Sequence, residues 1–354
     1  MLQVTIPIGN RLVVPGQGFN ALTDSLKDEA KLAGCIQILS GLKNAFNATL
    51  KRASQRRAFG APIGSFDQVR DKLGNCALQI FALESAIYMT AGLADYQLNP
   101  DICLEATACR LLAAEASKYV TDACKAILGG STYLKDNEVS KIFDDIEGLN
   151  WWESSEDLNK LYLGLGGLAY TAENRQEFTK ARRNIFNDFF SAVTHSNKFD
   201  REHPTNIFTR KRKLKFQLQE NLHPSLAPFA DQLETMVLDF DVAVAYLLYQ
   251  HGADVQLAEV DVAKLATTAA RIYAMTSVLA RASKSYCDGH PHANLDVQIS
   301  STYVNHLEPY VNGDMFDVQQ NTFCKITPFI AGLSDLLLDQ GFYSVSHPVN
   351  KTLF

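Results

Sequence analysis

Residues 124–167 read CKAILGGSTYLKDNEVSKIFDDIEGLNWWESSEDLNKLYLGLGG, and their reading decides the fold. Cys124-Lys125-Ala126-Ile127-Leu128 is the end of an apolar-periodic helix, and Gly129-Gly130 stops it, because glycine takes the left-handed conformation that closes a helix. Beyond a turn the chain passes Phe143-Asp144-Asp145 and reaches Trp151-Trp152-Glu153. Ser154 or Ser155 can then cap another helix, which carries Leu158, Leu161, Tyr162 and Leu165. Glu153 is the residue that matters most. A carboxylate directly after two tryptophans and before two small hydroxyl residues can sit beside apolar surface and act as a base. The competing reading is a solvated residue at a helix start.

Upstream, a helix from about Ile102 to Leu128 is marked by Ala106, Cys109, Leu112, Ala116 and Val120. Before it, Val69, Leu73, Cys76, Ala77, Ile80, Leu83 and Ile87 keep a three-four spacing on a helix that ends before Asn99-Pro100. The first helical pattern runs from about Phe19 through Leu22, Ile38, Leu42 and Phe46 to Ala53, with a break expected near Lys27-Asp28, and a connector follows at residues 56–63. Four long amphipathic helices with short connectors describe an antiparallel bundle over residues 19–170. Residues 1–18 read differently. Leu2 to Val14 alternates like one or two short strands closed by Pro15-Gly16-Gln17-Gly18, and two strands cannot make a sheet domain alone.

Downstream, residues 171–222 form a basic segment in which Arg175, Lys180, Arg182, Arg183, Lys198 and Arg201 lead to Arg210-Lys211-Arg212-Lys213 and Lys215. Phe178, Phe186, Phe189 and Phe190 lie between these charges. Basic residues interleaved with phenylalanine over 173–215 suit an anionic membrane surface or an acidic partner protein. A solvated linker with its phenylalanines packed on the bundle is the alternative. Nucleic acid is not an expected partner, because no recognised module accompanies the patch. Residues 223–354 are helical again, with one apolar stripe from Phe229 to Leu248 and another from Val260 to Leu279. The expected fold class is therefore all-α: a four-helix bundle and a second helical domain, preceded by a short β segment.

A hydrophobic content of 47% with 20% charged residues is that of an ordinary globular chain with a sizeable core. A net charge of -6 gives no global attraction to polyanions. The seven cysteines are odd in number and show no CxxC or Cys/His ligand spacing, so they read as reduced, packed thiols. No metal site is expected from the scattered histidines. No run of about 18 apolar residues suggests a membrane span. The opening residues show neither a signal-peptide apolar region nor an Arg/Ser-rich presequence.

Three blocks, RRAFGAPIGSFDQVRDKL (56–73), TDACKAILGGSTYL (121–134) and WWESSEDLNKLYLGLGG (151–167), resemble in order and spacing the C-terminal helical domain of acyl-CoA dehydrogenases. VTIPIGNRLVVPGQGF resembles the strands that lead into that domain. NLHPSLAPF (221–229), ARIYAMTSVLARASKSY (270–286), GHP at 289–291 and SHP at 346–348 resemble the subgroup that holds the very-long-chain enzymes and their complex I assembly paralogue, acyl-CoA dehydrogenase family member nine. The resemblance implies a homodimeric FAD protein of the mitochondrial inner membrane or matrix. In it a glutamate removes an α-proton from a long-chain acyl-CoA while the flavin takes the β-hydride. That glutamate falls on Glu153, with Trp151 and Trp152 able to dry its carboxylate. Arg56 and Phe59 keep part of the R-x-Q-F-G block that meets the flavin diphosphate, Gly129 and Gly130 keep part of the Q-I-x-G-G block near the other half of FAD, and Ser155 can supply a hydroxyl.

The same blocks depart from the family pattern. Ala58 and Ala126 stand where the two blocks have glutamine, and Ser154-Ser155-Glu156 replaces Gly-Thr-Asn. A substrate-side arginine falls on or near Lys31, which keeps the charge without the planar fork. Arginines before the glutamate become Asp144, Glu147 and Asn150. The chain matches only the back half of the family, so a flavin held here would have one wall open to water. The expectation is an acyl-CoA dehydrogenase-family protein that is noncatalytic as an isolated chain, either a truncated relative or part of a longer product. The alternative is a scaffold of the complex I assembly type.

Overall fold

The computed structural model describes residues 4–96, 101–152, 154–183, 214, 217–320 and 322–345. The long apolar stripes become helices: α1 (Gly18–Gln55), α2 (Asp67–Tyr96), α3 (Cys103–Leu128) and α5 (Glu156–Arg183), with a shorter α4 (Glu138–Trp151) before the last. Helix α1 runs unbroken through Lys27-Asp28. The two charges interrupt its apolar stripe, but they leave the backbone ladder intact because neither removes an N–H or demands a left-handed turn. Helix α4 was not anticipated. Asn137 caps it, its side chain accepting the Val139 N–H at 3.0 Å, and Val139, Phe143 and Ile146 bury its inner face.

The expected strands between Leu2 and Val14 are corrected. Residues 4–17 contain no strand, only a short 3-10 turn at Ile8–Asn10, and Val4, Ile8 and Leu12 are exposed. Alternation makes a segment compatible with a strand, but pairing needs a neighbour, and no described segment pairs with this one. The short strands lie instead in the connector, where β1 (Arg57–Ala58) pairs antiparallel with β2 (Ala61–Pro62). Phe59 and Gly60 turn between them with φ of 50° and 83°, the left-handed pair that a two-residue hairpin requires.

The second half builds α6 (Ala227–His251), α7 (Glu259–Cys287), α8 (Ala293–Gln319) and α9 (Thr322–Gln340). Helix α7 packs on α6 and α8 and also against α2, α3 and α5. Buried side chains from Ile38 and Leu42 of α1 through Leu83, Val120, Leu247 and Met275 to Tyr303 of α8 consequently belong to one apolar cluster. Helix α2 has a window of mean hydropathy 1.4, long and apolar enough to cross a membrane by composition, an apolarity the sequence reading did not credit. With 56% of that window buried, the core accounts for it. Polar ties cross the same junction: Arg271 of α7 reaches Glu115 of α3 at 2.8 Å and Asp314 of α8 at 2.9 Å. Glu84 of α2 lies between Lys43 and Arg281.

Candidate functional site

The end of α1, the hairpin, the start of α2 and the end of α3 enclose a cleft of about 450 Å³. Arg56, Phe59, Gly129 and Gly130 all line it, so four residues that are distant in the chain meet on one surface. The hairpin presents Phe59 outward at 98% exposure, and the Arg57 guanidinium ties the turn by donating to the Gly60 carbonyl at 2.8 Å. Gly129 closes α3 with φ 67° and donates its N–H to the Lys125 carbonyl. A Cβ on Gly129 or Gly130 would meet nothing within 4 Å, which leaves this backbone open to a ligand.

Arg52, Arg56 and Lys72 bring three cations to the cleft, and no carboxylate among the described residues lines it. Arg52 and Lys72 were missed in the sequence. The signal for Arg52 is its place one helical turn before Arg56 on α1. The charge set suits a phosphate-bearing group. Ala58 and Ala126 also line the cleft and offer no side-chain donor where the family blocks have amides, which leaves Gln68 and Ser131 as its uncharged side-chain donors.

Glu153 lies outside the described residues, but its neighbours are placed. The indoles of Trp151 and Trp152 are 67% and 75% exposed, so both rings face largely away from the core. Trp151 Nε1 donates to Glu147 at 3.2 Å, so this ring turns toward a carboxylate on the surface of α4. Ser155 caps α5, its Oγ accepting the Leu158 N–H at 3.3 Å, and it does not line the cleft of Arg56 and Gly129. Glu156 is held by Lys118 and Lys160. Burial pushes its carboxyl up, and the two ammonium groups outweigh that and hold it below the usual range. The negative charge of Glu156 is thus compensated locally. Asn150 donates to Ser117 at 2.9 Å, a structural tie between α4 and α3.

Lys31 is buried. Its ammonium donates to Thr107 Oγ1 at 2.9 Å and lies 4.4 Å from the centre of the Tyr162 ring. Much of its bonding is therefore satisfied within the bundle. Of the basic segment at 173–215, residues 184–213 and 215 fall outside the described residues, while the backbone of α5 continues to Arg183.

Residues 16–163 match the family model described as the acyl-CoA dehydrogenase C-terminal domain, and residues 224–341 match the ACAD9/ACADV C-terminal domain. The chain belongs to the acyl-CoA dehydrogenase family, through its C-terminal domains. It is similar to the mitochondrial very long-chain specific acyl-CoA dehydrogenase of Bos taurus, 24% identical over 349 residues, covering 98% of this chain and 52% of the relative. The Homo sapiens protein of that name is 23% identical over the same shares. The chain spans about half the length of these relatives. Among solved structures, an acyl-CoA dehydrogenase complexed with FAD from Bacillus anthracis superposes with a TM-score of 0.67 at 15% identity, over 84% of this chain and 50% of that one. Caenorhabditis elegans ACDH-11 in complex with C11-CoA gives 0.53 at 14% identity, over 82% and 44%. At such identities these likenesses carry the fold alone.

Proposed function

We propose that this chain is a mitochondrial helical module of the acyl-CoA dehydrogenase family that, by itself, does not carry out the family's FAD-linked α,β-dehydrogenation of long-chain acyl-CoA. One observation carries the reading: the cleft gathers Arg56, Phe59, Gly129 and Gly130 but lines the same wall with Ala58 and Ala126. The cations would still attract a phosphate, while the two amides of the family blocks are absent and Gln68 is the one side-chain amide in the lining. Further support comes from Trp151 and Trp152, whose indoles are largely exposed and are not packed into the core. In this reading Glu153 is an inherited proton-abstracting position, with Ser155 serving as a helix cap. The test is to purify the chain, add FAD, remove the excess and record the visible spectrum, then supply a long-chain acyl-CoA with an artificial electron acceptor. Colourless, inactive protein is the expected result; retained stoichiometric flavin with turnover would overturn it.

A second reading, a homodimeric scaffold at the inner membrane of the complex I assembly type, is favoured by α9. This helix leaves Phe329 and Leu338 at 82% and 77% exposure, apolar area that a partner protein would cover. Specific retention of respiratory-complex assembly proteins by the chain, lost on Phe329→Ser with Leu338→Ser, would support this role; unchanged retention would remove it.

A further inference from the structure

Helices α2 and α3 pack antiparallel. Thr90, late in α2, meets Cys109, early in α3, with Oγ1 3.2 Å from Sγ, while Asn75, early in α2, hydrogen-bonds Tyr119 further along α3. About four turns back along α2 from Thr90 and four turns forward along α3 from Cys109, the same register brings Cys76 opposite Cys124. Both thiols are buried, at 0% and 1% exposure, both are reduced, and they hydrogen-bond to each other. That bond divides their chemistry. Cys76 donates it, which holds its proton and pushes its pKa up, and burial adds to the rise. Cys124 accepts it, which draws its pKa below the usual thiol value; burial opposes this and a bond with Thr49 assists. A sulfur that ionises first, in contact with a thiol that keeps its proton, is the arrangement of an attacking and a resolving cysteine. Lys72, one turn before Cys76, and Ala123, next to Cys124, line a cavity of about 620 Å³, so solvent reaches the residues that flank the two thiols.

We infer that Cys76 and Cys124 are a redox pair that closes a disulfide between α2 and α3 when the chain meets a hydroperoxide. With hydrogen peroxide, the Cys124 sulfur attacks one oxygen, the O–O bond breaks, and a sulfenic acid forms with release of one water. The Cys76 sulfur then attacks the sulfenic sulfur; the S–O bond breaks, and the Cys76 proton leaves with the oxygen as a second water. Two thiols give up two electrons, and one peroxide takes them. The bridge would fasten the two helices directly behind the cleft, since Lys72 precedes Cys76 by one turn and Ala126 follows Cys124 by two residues. The inference stands whether or not the chain binds flavin.

The full chain is treated with hydrogen peroxide under native conditions, its remaining thiols are alkylated, and its peptides are mapped by mass spectrometry without reduction. The expected result is loss of both free thiols and recovery of a linked Cys76–Cys124 peptide pair, reversed by dithiothreitol. In Cys76→Ser the sulfenic acid has no resolving thiol, so dimedone should label Cys124 under peroxide; in Cys124→Ser it should leave Cys76 unlabelled. Two thiols that merely fill the core would give neither the bridge nor this asymmetry. If a serine variant does not fold, the wild-type map decides alone. Recovery of both residues as alkylated thiols after peroxide, bridging of either to a different cysteine, or a bridge that forms only in urea overturns the inference.

Discussion

Removing Arg271 should destabilise both halves of the chain together. Its guanidinium is 16% exposed and is shared between Glu115, 35% exposed, and Asp314, 28% exposed, so it joins α3 of the first matched segment to α7 and α8 of the second. Breaking a fully buried pair by deleting one partner costs about 3–5 kcal/mol. Both carboxylates here keep some contact with water, which lowers the expected cost of Arg271→Ala to about 2–3 kcal/mol. The loss should also depend on pH. Burial raises the Asp314 carboxyl above its usual pKa, and Arg271 opposes that rise. Without Arg271 the folded-state pKa climbs further above the unfolded value, so the penalty is complete above the folded pKa and fades as pH falls through it. Urea unfolding at neutral pH and near pH 5, followed by indole fluorescence and far-UV circular dichroism, measures both effects. The fluorescence comes from Trp151 and Trp152 in the first segment alone, whereas the dichroism reports both segments. Coincident transitions, with a deficit that shrinks on acidification, are expected. A change under about 0.5 kcal/mol, or transitions that separate in the wild type, would refute the reasoning.

The remaining predictions concern packing, acid stability and the cleft. Gly164→Ala places a Cβ 2.5 Å from Val262 Cγ1 and 2.9 Å from the Val262 carbonyl, where backbone cannot yield; a loss of about 1–3 kcal/mol in chemical denaturation is expected. Gly148→Ala, with nothing within 4 Å on α4, should instead gain up to about 1 kcal/mol by the same measurement. Burial pushes the Glu84 carboxyl up, but Lys43 and Arg281 hold it below the usual range. Its stabilisation is present above the unfolded pKa, near about 4.3, and is lost as pH falls through the lower folded value, so Glu84→Gln should flatten the acid limb of a stability-pH curve. Ala58→Gln with Ala126→Gln should tighten retention of FAD by roughly tenfold in equilibrium dialysis, if side-chain donors are what the cleft lacks.

How much of this was legible before folding depended on the kind of interaction. Helices α1, α2, α3 and α5 declared themselves because burying one face of a helix forces a three-four apolar spacing, and Gly129 marked an end because only a left-handed residue fits there. Helix α4 carried the same evidence, Asn137 as cap and Val139, Phe143 and Ile146 on one face. It was passed over because its apolar stripe is only three residues long and lies among acids. The Leu2–Val14 alternation failed for the opposite reason: a strand is a relation between two segments, and one segment's pattern cannot supply the other.

The site divides along the same line. Arg56, Phe59, Gly129 and Gly130 could be grouped in advance because two short blocks resemble those that meet the flavin in the family, and the chain folds both blocks toward one cleft. Outside the cleft, the burial of Arg110 in α3, 3% exposed, could not be foreseen either, since nothing in LEATACRLLAAEA distinguishes a buried cation from a solvated one. Trp151 and Trp152 make the converse point. Hydrophobicity argued for a dry wall beside Glu153, yet α4 ends at Trp151 with its inner face already filled by Phe143 and Ile146, so the next two rings turn outward. A carboxylate's neighbours in sequence thus do not set its dielectric surroundings; the helix phase at which they leave the core does.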